Sequence, residues 1–206
     1  SSIGVPNAIS KLVAERTAKG DHKGAIRIFK VALATFAIIG LVGTLLLFFG
    51  ADIIATYWLN IPEAKYTLIT LSPAVFFVTV AAVLRGYCNG KQAMRVTARS
   101  QTLEQVFKTV LVIIIVEIVY KMTNGNTVWM AAAANVATTL SIFMSFMYLV
   151  RFYRITRTER AKELKETVNY KYQNVKSIVK KILSVSIPMS LSSIMSSFNK
   201  NIKLMV

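Results

Sequence analysis

The chain has 206 residues, 54% of them hydrophobic, with a mean hydropathy of +0.53 and a formal net charge of +16. A soluble basic protein scatters its cations over a polar surface; here charge is missing from long windows and crowded between them, which excludes that class. One cysteine, Cys88, excludes an internal disulfide framework, and with no CxxC and a single histidine, His22, neither a metal nor a cofactor is expected.

Val31–Ala51 runs 21 residues without a charge, Met122–Val150 runs 29 and Ile182–Asn199 runs 18. A bilayer core about 30 Å thick needs roughly 20 apolar residues of helix. The fold class is therefore all-α, a polytopic transmembrane helical bundle; the short alternating strands of a membrane barrel are missing. The chain opens SSIGVPN, without an initiator Met or a signal peptide, and closes NKNIKLMV inside an apolar pattern, so it reads as a piece of a longer protein.

In chain order, IGVPNAISKLVAERTAKGD is the tail of a helix that Gly20-Asp21 ends. Span one covers about Phe29–Leu59, with Tyr57 and Trp58 as interfacial aromatics at its far end. NIPEAKYT turns the chain into span two, about Tyr66–Gly86, with Pro73 near its start. NGKQAM is the next turn, and span three is about Val96–Tyr120. KMTNGNT turns again on its Asn-Gly. Span four is Val128–Tyr148, a charged connector covers about Arg151–Lys181, and span five starts at Ile182 and is interrupted by Pro188.

Charge gives the orientation. Residues 11–30 hold six Lys/Arg, 85–100 hold four and 151–181 hold ten, whereas the two intervening turns hold one each, Lys65 and Lys121. The positive-inside rule makes 11–30, 85–100 and 151–181 cytoplasmic in a multi-pass membrane protein. The connector's cations are interleaved with Glu159, Glu163 and Glu166, as in an amphipathic helix resting on anionic headgroups. Membrane topology accounts for them without a nucleic-acid partner. Cys88 and His22 read as ordinary loop residues.

Charges deep in a bilayer cost about 2.5–3.5 kcal/mol on insertion scales and usually face a cavity or a partner. Gln101, Glu104, Gln105 and Lys108 follow i, i+3, i+4, i+7 spacing and share one helix face. With Arg99 at the inner boundary, Lys108 lies roughly 13 Å deep. The stripe is either cavity lining or a Glu104–Lys108 ion pair buried for packing. Lys11 and Glu15 repeat the i, i+4 spacing with the signs reversed, as cavity lining or as snorkelling side chains. Arg85 sits at the inner end of span two, at the interface or deeper. Pro188, among Ser184, Ser186, Ser190, Ser192 and Ser193, is a hinge candidate or a structural kink. Lys200 and Lys203 fall near the outer surface. Nothing resembles a nucleophile triad, a phosphate-cradling loop or paired catalytic carboxylates, so no enzyme activity is expected.

Three segments carry a resemblance. GVPNAISKLVAERTAKGDHKGAIRIFKVAL resembles the second-helix region of bacterial polysaccharide and lipid-linked oligosaccharide flippases, RGYCNGKQAMRVTARSQTLEQVFK their fourth-to-fifth helix junction, and SIPMSLSSIMSSFNKNIKLMV the start of their seventh helix. These belong to the multidrug/oligosaccharidyl-lipid/polysaccharide exporter superfamily, and the chain resembles its stage V sporulation protein B-like and MurJ-like members. The resemblance implies part of a 14-helix, two-lobed transporter: 1–150 as the N-terminal lobe from the end of helix two to helix six, 151–181 as a basic linker, and 182–206 as the start of the second lobe.

The resemblance further implies alternating access, with a polyprenyl-pyrophosphate-linked glycan such as lipid II as the substrate, membrane lipids as surroundings and a coupling cation. Lys11, Arg85 and Lys108 are its candidate phosphate-binding cations, with Glu104 positioning Lys108 or moving protons. One departure stands out: relatives commonly carry an acidic residue in an Asn-Ile-Asp-like run where this chain has NIK, with Lys203. A multidrug antiporter of the same fold and a non-transporting membrane scaffold are the alternatives. The first needs a net acidic cavity, the second none.

Overall fold

The computed structural model describes residues 4–168, 171 and 173–205, the side chains of 200–205 excepted. The expectations for Lys200 and Lys203 lie outside the described side chains. Seven α-helices follow one another: α1 (Gly4–Ala18), α2 (His22–Ile53), α3 (Ala64–Gly90), α4 (Met94–Thr123), α5 (Thr127–Ile155), α6 (Arg157–Lys165) and α7 (Val175–Met205). A π-helical turn, Ile54–Trp58, extends α2. No strand occurs among the described residues. Among these residues four helices are long and apolar enough to cross a membrane: His22–Trp58, Ala64–Gly90, Thr127–Ile155 and Val175–Asn199.

Span three, α4, has the length at 30 residues, but Glu104, Lys108 and Glu117 interrupt its apolar run and keep it out of that set. Two further expectations need correcting. NGKQAM does turn the chain, at Lys91–Ala93 with Gln92 at φ +61°, but α3 continues past the expected end at Gly86 through Gly90; Cys88 is therefore a buried helical residue, and His22 is the first residue of α2, where both were expected in loops. Span five is not interrupted. α7 runs unbroken through Pro188, as α3 runs through Pro73.

The helices divide between two compact units. The first comprises Ser1–Thr35, Ala82–Thr97 and Phe152–Val206; the second comprises Phe36–Ala81 and Ala98–Arg151. In the first unit α1 buries Ala8, Ile9, Leu12 and Val13. It crosses α3 where Gly86 and Gly90, one turn apart, leave room for its backbone. A Cβ on Gly86 would lie 2.8 Å from the Pro6 carbonyl oxygen, and one on Gly90 would lie 2.8 Å from that of Ser10. Small residues four apart are the usual means by which membrane helices come this close. The start of α1 meets α7 in the same way, with Gly4 against Ser186 and Ser190. Phe29, 1% exposed, forms a tilted three-ring cluster with Tyr87 and Tyr153, its ring centroid 4.5 and 5.0 Å from theirs, which lie 6.0 Å apart.

The corner between α1 and α2 is fixed by its own sequence. Gly20 takes φ +74°, the left-handed conformation that ends a helix, and its N–H and that of Asp21 donate to the Thr17 and Arg16 carbonyls. Asp21 then caps α2, accepting from the Gly24 N–H at 2.9 Å, while Arg16 neutralises it at 3.1 Å.

The second unit is joined by side chains. Thr139 donates to the Thr70 carbonyl at 3.1 Å and Ser145 to that of Ser100 at 3.0 Å, tying α5 to α3 and to α4. Phe77 meets Phe143 and Phe146 at 5.2 and 5.5 Å, and Tyr66 meets Trp129 at 5.1 Å. Along α2, Leu46 and Phe49 stay 67% and 75% exposed, an apolar surface suited to lipid or to further helices.

Candidate functional site

On α4 the helix period turns the sequence stripe into a surface. Gln101, Gln105 and Lys108 are exposed and Glu104 is half-buried, so the two ends of the expected ion pair have different surroundings. The apolar side of the same helix is open as well, at Val106, Val110 and Ile113, and Ser100 marks where α4 meets α5. These four polar residues belong to the second unit.

Lys11, Glu15 and Arg85 belong to the first unit. Lys11 is exposed and Glu15 half-buried on α1, away from the face that packs on Gly86 and Gly90. Glu15 accepts from Lys19 at 3.2 Å. Glu followed by Lys four residues on is the better helix orientation, which accounts for this choice over Lys11. The Lys19 hydrogen bond, followed by the charge of Lys181, holds the Glu15 carboxyl below its ordinary range. Arg85 is half-buried near the end of α3, and Thr97 at the start of α4 approaches its carbonyl at 3.5 Å. Pro188 lies exposed on α7. The serines beside it divide their roles: Ser186 and Ser190 face Gly4, and Ser193 donates to the Met189 carbonyl at 2.9 Å.

Sequence reasoning missed how the basic connectors interlock. Lys91, in the α3–α4 turn, binds Glu163 of α6 at 2.7 Å, and the Nδ1 of His22 stands 4.0 Å from the same carboxylate. Arg160 stacks over the Tyr153 ring at 3.6 Å and donates to Thr156 at 2.7 Å. The strand of chain after α6 folds back on the α1–α2 corner: Val168 N–H donates to Gly20, Lys23 N–H to Thr167, and Arg27 to the Gln173 carbonyl at 2.9 Å. Partners 72 to 148 residues apart leave no periodic trace in a sequence. The short-range signal that was present is G-x-x-x-G at Gly86–Gly90. Among the described residues no cluster of three His, Cys, Asp or Glu is placed to hold a metal.

Residues 1–206 match the family described as "Polysaccharide biosynthesis protein". The chain is 31% identical over 188 residues to stage V sporulation protein B of Bacillus subtilis (strain 168), an alignment that covers 91% of this chain and 35% of that protein. It is 25% identical over 157 residues to the lipid II flippase MurJ of the same organism, covering 72% and 29% respectively. The chain thus spans about a third of the length of the curated relatives it matches. No solved structure matches it.

Proposed function

The chain belongs to the polysaccharide biosynthesis protein family, and from that premise we propose that it is part of a flippase that moves a lipid-linked glycan precursor across the bacterial cytoplasmic membrane. The observation that carries this reading is the polar face of α4: Gln101, Gln105 and Lys108 are exposed on a 30-residue helix whose other positions are largely apolar. Polar side chains at membrane depth are costly unless they face water, a partner or a charged ligand. A pyrophosphate headgroup is such a ligand, and cations offset its desolvation through charge-assisted hydrogen bonds. Lys108, Lys11 and Arg85 are the proposed cations, and Glu104 positions Lys108 or moves protons.

In this reading residues 11–30, 85–100 and 151–181 face the cytoplasm, α1 to α5 form the first lobe, and α7 begins the second. Pro188 removes one backbone N–H from the α7 ladder and is where that helix would flex during alternating access. The relative called a lipid II flippase makes lipid II the first substrate to try.

The test is a lipid II translocation assay with the full-length protein in vesicles, comparing Lys108→Ala and Glu104→Gln with the parent. Losing one charge-assisted contact to phosphate, worth about 1.5–3 kcal/mol, slows Lys108→Ala roughly ten- to hundredfold. Normal flipping by both variants would remove these residues from the site. No flipping of lipid II by the parent would move the substrate to another polyprenyl-linked glycan.

A further inference from the structure

The α1–α2 corner, α6 and the first turn of α7 enclose a cavity of 480 Å³ that lies wholly in the first unit and contains none of the proposed substrate cations. Arg16, Lys23, Arg27 and Lys30 line it, together with the carboxylate of Asp21. That carboxylate is already answered, by Arg16 at 3.1 Å and by the Gly24 N–H at 2.9 Å. The Nε of Arg27 is held by the Gln173 carbonyl, which fixes the plane of the guanidinium at the wall. The balance inside is therefore positive, and Lys23 and Lys30 stay exposed.

Lys171 adds a further cation, and the rest of the wall is largely apolar, from Ile26, Val31, Leu164, Val168 and Val175. Lys30 is the last cation before the uncharged window Val31–Ala51. The cavity thus straddles the level at which α2 passes from its basic segment into its apolar one. A soluble anion uses only the cations of such a site. An amphiphile uses the cations for its headgroup and the apolar wall for the first carbons of its tail.

We propose that this cavity binds the phosphodiester of an anionic phospholipid, with phosphate oxygens on Lys23, Lys30 and Arg16 and the acyl chain starting along Ile26 and Val31. Basic pockets at the headgroup level of membrane helices take anionic headgroups in this way. Because α6 and α7 supply part of the wall, the bound lipid also bridges the chain segments on either side of residues 166–174.

The experiment places the full-length protein in nanodiscs with both leaflets of identical composition, so its orientation has no effect on the result. One set contains phosphatidylcholine alone and the other includes phosphatidylglycerol. Lipids that stay on the protein after extraction into mild detergent are counted by native mass spectrometry. The parent retains phosphatidylglycerol in preference to phosphatidylcholine, and Lys23→Gln with Lys30→Gln lowers its apparent affinity roughly thirtyfold. Lys65→Gln with Lys121→Gln, an equal charge change at the opposite ends of α3 and α4, leaves retention as it was and controls for net charge. Inorganic phosphate or glycerol phosphate at millimolar concentration does not displace the lipid. Displacement by either would assign the cavity to a soluble phosphate and overturn the lipid assignment. Equal retention of the two lipids, or no change in the double variant, would overturn the site altogether. None of these readouts depends on what the protein flips.

Discussion

The two units contain helices of similar length, yet their close contacts differ in kind. In the first, a Cβ on Gly86 or Gly90 would stand 2.8 Å from a carbonyl oxygen of α1, so backbone rests on backbone. In the second, the corresponding approach of α2 to α3 is looser: a Cβ on Gly40 would stand 3.2 Å from the Thr79 side chain and 3.3 Å from the Phe76 Cα, and one on Gly43 3.3 Å from the Val75 side chain. Its other contacts are aromatic pairs and single hydroxyl-to-carbonyl bonds. Backbone contacts have no rotamer to adjust, whereas hydroxyls and rings do. The first unit is therefore built to hold one geometry, and the second tolerates change.

Substitutions test the contrast directly, each read as a shift in unfolding of the full-length protein in mild detergent. Phe29→Ala empties a fully buried ring site against Tyr87 and Tyr153 and costs about 3–5 kcal/mol. Gly90→Ala forces a methyl group against the Ser10 carbonyl and Val13, at a cost of about 1–3 kcal/mol. Ser145→Ala in the second unit removes one interhelical hydrogen bond and costs about 0.6 kcal/mol, because the Ser100 carbonyl keeps its place in a helix. A Ser145→Ala loss equal to that of Gly90→Ala would erase the difference between the units.

The spans were legible in the sequence because bilayer thickness imposes a length on any uncharged run, and α2, α3, α5 and α7 obey it. Turns were legible only in part, and two Asn-Gly pairs show why. Asn124-Gly125 does turn the chain, with Gly125 at φ +83°. Asn89-Gly90 stays in α3, because its glycine serves a neighbouring helix that the local sequence does not mention. The polar stripe of α4 was legible by helical spacing. The partner chosen by Glu15 was readable from orientation rules, but the sequence reading paired it with Lys11 instead of Lys19. The basic cavity was invisible: its cations looked like topology signals, and the walls that make it a cavity arrive from α6 and α7.

The contact of Gly4 with Ser190 has a consequence for biosynthesis. At elongation rates of about 5–20 residues per second, the two residues leave the ribosome roughly ten to forty seconds apart. For that interval Gly4 at the start of α1 is uncovered, and only the arrival of α7 covers it. The earliest helix in this chain waits for the latest, so the first unit closes only after the second has been translated in full.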